Sequence, residues 1–274
     1  MKNTRKSGSC LVISVVFFAL ILAGIATLWV YLNTLPPISQ LKNYQPTLVS
    51  QMISSDNVVI KTFGAYKYKK VSIDQIPESL KKAIIATEDK NFYTHKGFDV
   101  MALIRSTISN MLARRVVQGA STITQQLARI LFLSSEKTFD RKFKELIIAY
   151  RLEKTIPKDE ILEMYLNNVY LGEGAYGVSA ASEIYFNKRV EDLSLAEAAL
   201  IAGLPQAPSI YSPYQNKKLA LSRRAQVLER MVKMGFITEK TAEEANNTPI
   251  YISGTNRPYS ANKAPYFADY VLKE

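Results

Sequence analysis

A long apolar run near the N-terminus most constrains how this chain can fold. Residues 11–32, LVISVVFFALILAGIATLWVYL, are 22 residues without a charge. At about 1.5 Å rise per residue, a helix of this length crosses the roughly 30 Å hydrocarbon layer of a bilayer. A basic tail, residues 1–10, precedes the run and should remain in the cytoplasm. The run therefore predicts a single-pass transmembrane helix in the inner (cytoplasmic) membrane, with everything after Leu32 on its outer face.

The alternative is a cleaved signal peptide, but the run is longer than a usual signal core and no clean A-x-A site follows it. The only cysteine, Cys10, precedes the run. The outer part of the chain therefore has no disulfide bonds and must be held by its core.

The charge balance points to an anionic partner. The 274 residues are 47% hydrophobic and 22% charged, which suits a folded protein, and the formal net charge is +11. Lys2, Arg5 and Lys6 in the tail supply three of these charges, so about +8 remains beyond the apolar run. Nucleic acid, an anionic membrane surface and a phosphate-bearing substrate all fit such an excess.

The rest of the chain changes character near Pro77. Residues 33–76 contain a linker, NTLPPISQ, and β-branched runs on either side of Asp56-Asn57, which predict a small β-hairpin. Residues 77–250 are mostly helical in pattern, and 251–274 read as the start of a further linker. The fold predicted is thus mostly α, behind a transmembrane helix and a small β element.

Two helices carry the argument about function. Leu80, Ala83 and Ile84 share one face that leads up to Glu88. TFDRKFKELIIAYRLEKTI, with Thr138 as its predicted N-cap, has an apolar stripe made of Phe139, Phe143, Leu146, Ile147 and Tyr150.

Several chemistries are excluded by residue counts. His95 is the only histidine, and the only thiol precedes the anchor. A Ser-His-Asp triad, a Cys-His pair and a His/Cys zinc site therefore lack their residues. No phosphate-binding loop motif occurs. SSEK at 134–137 matches S-x-x-K, but its K-T-G companion is absent, so it reads as a polar loop.

Carboxylates with cationic helpers remain. Glu88 ends an apolar helix face, and a partly buried carboxylate can exchange protons near neutral pH because burial raises its pKa. Glu145 follows Arg141 by four residues, so the two share a helix face, either as a surface ion pair or as part of a site.

A glutamine-bearing helix adds to this. QGASTITQQLARILFL, residues 118–133, places Gln125 and Gln126 in an apolar helix that Ser121 or Thr122 could cap. Buried amides need partners, and a polar ligand such as a sugar would supply them.

Five motifs in order then resemble a known family. EDKNFYTHKG (88–97), GASTITQQ (119–126), RKFKE (141–145), EILEMYLNNVYLGEGAYGVSAAS (160–182) and AEAALIAGLPQAPSIYSP (196–213) are similar to the peptidoglycan glycosyltransferase domain of class A penicillin-binding proteins and monofunctional transglycosylases, glycosyltransferase family 51. The likeness runs from about Gln75 to Phe236.

The resemblance implies a lysozyme-like, two-lobed fold over residues 77–250 and the polymerisation of lipid II. Glu88 would be the base that takes the proton of the acceptor 4-hydroxyl, and Glu145 the second carboxylate, in a site that handles the pyrophosphate. Sugar and phosphate contacts would fall on Asp89, Phe92, Ser121, Thr122, Gln126 and Arg141, with Gln125 beside them. His95 is expected to make a structural hydrogen bond that holds its motif.

The leaving group implied is a pyrophosphate, whose expulsion needs cations placed where charge develops. Arg129, Arg141 and Lys142 are available, and a divalent cation such as Mg²⁺ or Mn²⁺ could assist although none is strictly required. An α-linked donor and a β-linked product imply one displacement with inversion. The chain departs from the family at Arg129-Ile130, where Lys-Asn is usual; arginine keeps the charge but changes its geometry.

The segment 98–119 is richer in apolar residues than one core-facing stripe requires, and Arg105, Arg114 and Arg115 are interleaved. It predicts an element in the membrane interface, against the alternative of a helix buried on several sides. The partners expected are therefore lipid II, the growing glycan, membrane lipids and other proteins of cell-wall synthesis, and not nucleic acid.

KAPYFADYVLKE, residues 263–274, resembles the segment that leads towards a transpeptidase domain, so the chain is expected to be the front part of a bifunctional protein. Two other functions compete: a lysozyme-like lytic transglycosylase, and a non-catalytic membrane-anchored scaffold. The anchor and the cationic RKFKE helix argue against the first, and the two glutamates argue against the second.

Overall fold

The computed structural model describes residues 4–33, 35, 50–53, 55–56, 59–63, 69–113, 119, 121–133 and 138–253, and these are mostly helical. The chain divides into two units, Met1–Tyr44 and Gln45–Glu274. The linker residues 36–49, the SSEK loop, residues 114–118 of the predicted interfacial segment and the C-terminal stretch 254–274 lie outside the described residues.

The first unit contains helix α1, Thr4–Asn33. Within it, Val15–Asn33 is long and apolar enough to cross a membrane by length and composition, and none of this stretch is buried by protein. The described side chains of this stretch include exposed large apolar groups such as Phe17 and Trp29. These properties are compatible with the membrane anchor that the sequence predicts.

The second unit begins with two short strands and continues with helices. Strand β1 (Ser50–Ile53) pairs antiparallel with β2 (Val59–Phe63), and Ser50 lies opposite Phe63. The helices that follow are α2 (Glu78–Glu88), α3 (Val100–Ala113), α4 (Ile123–Phe132), α5 (Phe139–Thr155), α6 (Lys158–Asn168), α7 (Val178–Phe186), α8 (Leu195–Gly203), α9 (Pro208–Tyr211), α10 (Lys217–Lys233) and α11 (Glu239–Asn247). Short 3-10 turns occur at Ile73–Gln75 and Val190–Asp192.

The helix starts follow from local sequence. Thr122 and Thr138 each accept a hydrogen bond from the third residue of the helix they precede, which confirms the Thr138 cap and one of the two candidates for α4. Ser194 and Glu197 form a reciprocal capping box at the start of α8. These side chains satisfy backbone N–H groups that a helix start leaves without partners.

The core forms mainly between α2, α8 and α10, with α4 and α6 packed into it, and α5 packs against α4. Leu80, Ala83 and Ile84 of α2 are completely buried, as their spacing predicts. Their burial fixes the rotation of α2, and with it the direction in which Glu88 leaves the last turn.

The predicted apolar stripe of α5 is wrong as a core face. Phe139 is 98% exposed, Phe143 47% and Tyr150 40%. The buried side of α5 instead carries Glu145, Ile148, Ala149 and Leu152. The sequence has apolar residues on both sides of this helix, and packing against α4 selects the side that also carries a carboxylate.

Candidate active site

Glu88 ends α2 in a partly buried position. Its Oε2 accepts a hydrogen bond of 2.8 Å from Nε2 of Gln126 on α4. Burial raises the pKa of the Glu88 carboxyl above its ordinary value, while the Gln126 bond and the positive charges of Arg223 and Arg230 act in the opposite direction. Within the described part of the chain Oε1 makes no hydrogen bond, so this oxygen is the one suited to accept a proton.

Asp89 joins the loop after Glu88 to the start of α4. Its Oδ2 accepts from the backbone N–H of Ile123 at 2.9 Å and lies 2.8 Å from Nε2 of His95. The backbone N–H of Gly97 donates to Nδ1 of His95, so Nε2 carries the proton and donates to Asp89. The structural hydrogen bond predicted for His95 is therefore confirmed, and Asp89 has two partners within the protein.

The two glutamines of α4 point to the two carboxylates. Gln126 donates to Glu88, and its Oε1 accepts from the hydroxyl of Tyr165 at 3.1 Å. Gln125, only 3% exposed, accepts from Lys142 at 3.3 Å. Protein groups thus bind the amide oxygens of both glutamines and the amide nitrogen of Gln126, and a sugar contact at these residues stays a prediction.

Glu145 is almost completely buried, and cations bind both of its oxygens. Arg141 donates to Oε1, and Nζ of Lys142 lies 2.8 Å from Oε2. The same Nζ lies 2.8 Å from the hydroxyl of Ser121. The structure therefore brings together Glu145, Arg141, Lys142, Ser121 and Gln125, all predicted as site residues.

The remaining predicted residues have other surroundings. Thr122 caps α4 and donates to the carbonyl of Gly97 at 2.7 Å, so its hydroxyl has internal partners. Phe92 has no exposed surface and packs in the core, with Nζ of Lys158 4.5 Å from the ring centroid. Phe92 therefore contributes to the packing of the core, and its predicted contact with substrate stays a prediction. Arg129 is exposed.

Sequence reasoning missed two arginines of α10. Arg223, 4% exposed, donates to the carbonyl of Gly203, and Arg230 donates to the carbonyl of Thr87, the residue before Glu88. Burial lowers the pKa of the Arg223 guanidinium, with the charge of Arg230 acting in the same direction. The arginine pair of SRRAQ was the available signal for Arg223, and Arg230 lies seven residues further along the same face of α10.

A second missed group supports the loop after Glu88. Glu153, whose side chain is 5% exposed, accepts from Lys158 at 2.7 Å and from the hydroxyl of Thr124 at 2.6 Å. Its carboxylate also lies 3.9 Å from Nδ1 of His95. This buried cluster connects α4, α5 and α6 to the His95 loop.

The described residues contain no group of three or more histidine, cysteine, aspartate or glutamate side chains that could hold a metal ion. At Glu145 the arrangement is unfavourable for a divalent ion, because both carboxylate oxygens already face cations. Positive charge at this position comes from Arg141 and Lys142 themselves.

Known proteins match this chain over most of its length. A family model described as Transglycosylase matches residues 56–232. Penicillin-binding protein 1A of Aquifex aeolicus is 46% identical over 243 residues, which are 89% of this chain and 32% of that protein. Penicillin-binding protein 1A of Neisseria gonorrhoeae is 43% identical over 257 residues, or 94% of this chain and 32% of that protein.

The chain thus spans about a third of the length of these curated relatives. A crystal structure of penicillin-binding protein 1A from Haemophilus influenzae matches 84% of this chain and 24% of its own, with a TM-score of 0.50 and 24% sequence identity. At this level of identity the structural match shows a shared fold.

Proposed function

The chain belongs to the transglycosylase family, whose match covers residues 56–232, and on that premise we propose that it polymerises lipid II into β-1,4-linked glycan strands with release of undecaprenyl pyrophosphate. One observation carries the proposal. Helix α4 holds Glu88 through Gln126 at one position, and meets the Glu145 cluster through Gln125 at the next. A base and a cationic site are therefore connected by one rigid element.

Glu88 is the general base in this proposal. Its raised pKa makes it a stronger base than an exposed carboxylate, and Gln126 fixes its orientation. Oε1 of Glu88 takes the proton of the acceptor 4-hydroxyl while the hydroxyl oxygen attacks the anomeric carbon of the donor sugar. The bond from the anomeric carbon to the pyrophosphate breaks with inversion.

Glu145 has a different role, because a carboxylate with both oxygens bound to cations cannot serve as a base. It holds Arg141 and Lys142 side by side on the first turns of α5. These cations, with Ser121 beside Lys142, meet the charge that develops on the departing pyrophosphate. Arg129, which is exposed, and Asp89 complete the proposed set of binding residues.

The setting proposed is the outer face of the cytoplasmic membrane, with α1 as the anchor and a lysozyme-like, two-lobed catalytic domain. Helix α3 supports contact with lipid, because many of its apolar side chains are exposed. Those that are 49–81% exposed are Val100, Met101, Leu103, Ile104, Ile108, Met111 and Leu112. A soluble surface rarely exposes so much apolar area together. Other proteins of cell-wall synthesis are proposed partners.

The test is polymerisation of lipid II by the purified full chain, with sizing of the product. Glu88→Gln keeps the shape of the side chain and removes the base, which typically costs about 10²–10⁴-fold in rate. Glu78→Gln, at the other end of the same helix, is the matched control and should retain the parent rate. A folded Glu88→Gln protein that polymerises at the parent rate would refute the mechanism. Release of fragments from finished glycan would indicate a lytic enzyme instead.

A further inference from the structure

Helix α4 is fastened to its neighbours on two opposite sides. On one side, the hydroxyl of Thr124 donates to Oε1 of Glu153 on α5 at 2.6 Å. On the other side, Gln126 donates to Glu88 at the end of α2. Each residue turns an α-helix by about 100°, so side chains two positions apart point in nearly opposite directions. The bond that holds Thr124 therefore also sets the direction in which Gln126 points.

The Glu153 carboxylate is a fixed point for this bond. Its side chain is only 5% exposed, and Thr124 has no exposed surface. Nζ of Lys158, the first residue of α6, lies 2.7 Å from the same Oε1 and 4.5 Å from the ring centroid of Phe92. Movement of the carboxylate would separate a buried charge from its counter-charge, which is costly. Glu153 thus ties α4 and α5 to the start of α6.

The loop that follows α2 meets the same carboxylate. Oε1 of Glu153 lies 3.9 Å from Nδ1 of His95, and Nε2 of His95 donates to Asp89. Asp89 in turn accepts from the backbone N–H of Ile123, the first residue of α4. These contacts close a ring from Glu153 through the loop to α4 and back, so the end of α2 and the start of α4 are held against one buried group.

We propose that Glu153 is a positioning residue for the reaction, which holds α4 at the rotation where Gln126 binds Glu88. The inference rests on the proposed role of Glu88 as the base. Without the bond from Thr124, α4 can turn about its axis, and Gln126 then moves away from the Glu88 carboxylate. The other charged or titratable groups that act on Glu88 remain in place, and these are Asp89, Tyr165, Arg223 and Arg230.

The sharpest test changes Thr124 and leaves Glu153 with its lysine. Thr124→Val keeps the shape of the side chain and removes the hydroxyl, whereas Thr124→Ser keeps the hydroxyl. The measurement is kcat/KM for lipid II polymerisation by the full chain across the pH range, whose acid limb reports the ionisation of the base. In Thr124→Val the limb should move upward by up to about one pH unit, because the carboxylate loses the bond from Gln126. Thr124→Ser should keep the acid limb of the parent.

A second variant approaches the same bond from the other side. Glu153→Met combined with Lys158→Met removes the acceptor of Thr124 and leaves no unpaired ammonium behind. The acid limb should again move upward, and the rate above it should fall by up to about 10²-fold because the base is misplaced. Adding Gln126→Met to this pair should give no further shift, since both changes act through one bond.

The control is a carboxylate of the same kind elsewhere in the fold. Glu197 at the start of α8 pairs with Lys188 at 2.8 Å, and Glu197→Gln should lower the melting temperature without moving the acid limb. A limb that moves equally in this control would reflect a general loss of stability and would overturn the inference.

Three other results would also count against it. A folded Thr124→Val protein with the acid limb of the parent would overturn the inference, and so would a full additional shift from Gln126→Met in the double-methionine pair. Both results leave the proposed function intact as long as Glu88→Gln is inactive. A Glu88→Gln protein that polymerises lipid II at the parent rate would overturn the inference and the proposed function together.

Discussion

The hydrogen bond from Gln126 to Glu88 should set the pH range in which the base works. The 2.8 Å bond favours the ionised carboxylate, so its loss raises the pKa of Glu88 further. A hydrogen bond to a charged group contributes about 1.5–3 kcal/mol, and about 1.4 kcal/mol corresponds to one pKa unit. Glu88 is only partly buried, so water replaces part of the lost bond. Gln126→Met should therefore move the acid limb of the pH–rate profile upward by about one pH unit.

The assay is kcat/KM for lipid II polymerisation across the pH range. Gln125→Met is the matched control, because Gln125 contacts Lys142 and not Glu88; it should lower the rate without moving the acid limb. Gln126→Met also leaves the buried hydroxyl of Tyr165 without its acceptor, which costs about 1–3 kcal/mol of stability. Adding Tyr165→Phe should restore stability and keep the shifted limb. An acid limb that stays in place in Gln126→Met, or moves downward, would refute the reasoning.

Three further changes test other parts of the structure. Burial raises the pKa of Glu88 in the folded state, so ionisation of Glu88 destabilises the fold as the pH rises. The Glu88→Gln protein should therefore have a higher melting temperature than the parent at pH 8, and the difference should vanish near pH 4, where Glu88 is protonated in the unfolded chain as well. Gly177→Ala should lower the free energy of unfolding by about 2 kcal/mol or more, because φ is +81° and the new Cβ would lie 2.4 Å from a backbone oxygen of α6. Gly235→Ala, at φ +69° and with open space around the new Cβ, should lower it by only about 1 kcal/mol. Denaturant titration compares the two variants. Glu153→Gln should lower the free energy of unfolding by about 3 kcal/mol, because it leaves the ammonium of Lys158 without its counter-charge. Adding Lys158→Met should recover part of that loss. A double variant no more stable than Glu153→Gln alone would contradict this account.

The sequence predicts the members of the site better than their partners. Glu88 and Gln126 stand out because each is polar beside an apolar helix face, and Glu145 stands out because Arg141 precedes it by four residues. Their contacts depend on how α2, α4 and α5 pack together, which no local pattern contains. The amide oxygen of Gln126, for example, accepts from Tyr165, which lies 39 residues further along the chain.

The largest misreading concerns α5, whose sequence has apolar residues on two sides. A periodicity argument selects the side with more aromatic residues. The structure buries the other side, which carries Ile148, Ala149 and Leu152 together with Glu145. Lys142 joins Glu145 to Gln125 on α4 and to Ser121 just before it. Apolar residues lie on both sides of α5, so hydrophobic periodicity alone does not reveal which side packs against α4.

The contrast between the two carboxylates explains why one helix connects them. Glu88 accepts one hydrogen bond, from the neutral amide of Gln126, and Arg223 and Arg230 act on it through their charge. Its other oxygen can therefore take a proton. Glu145 is bound on both oxygens by Arg141 and Lys142 and keeps none. The proposed displacement, which moves a proton at Glu88 and charge at the Glu145 cations, needs these two states at a fixed separation. Adjacent glutamines on α4 meet this need, because a single rigid turn sets the position of both groups.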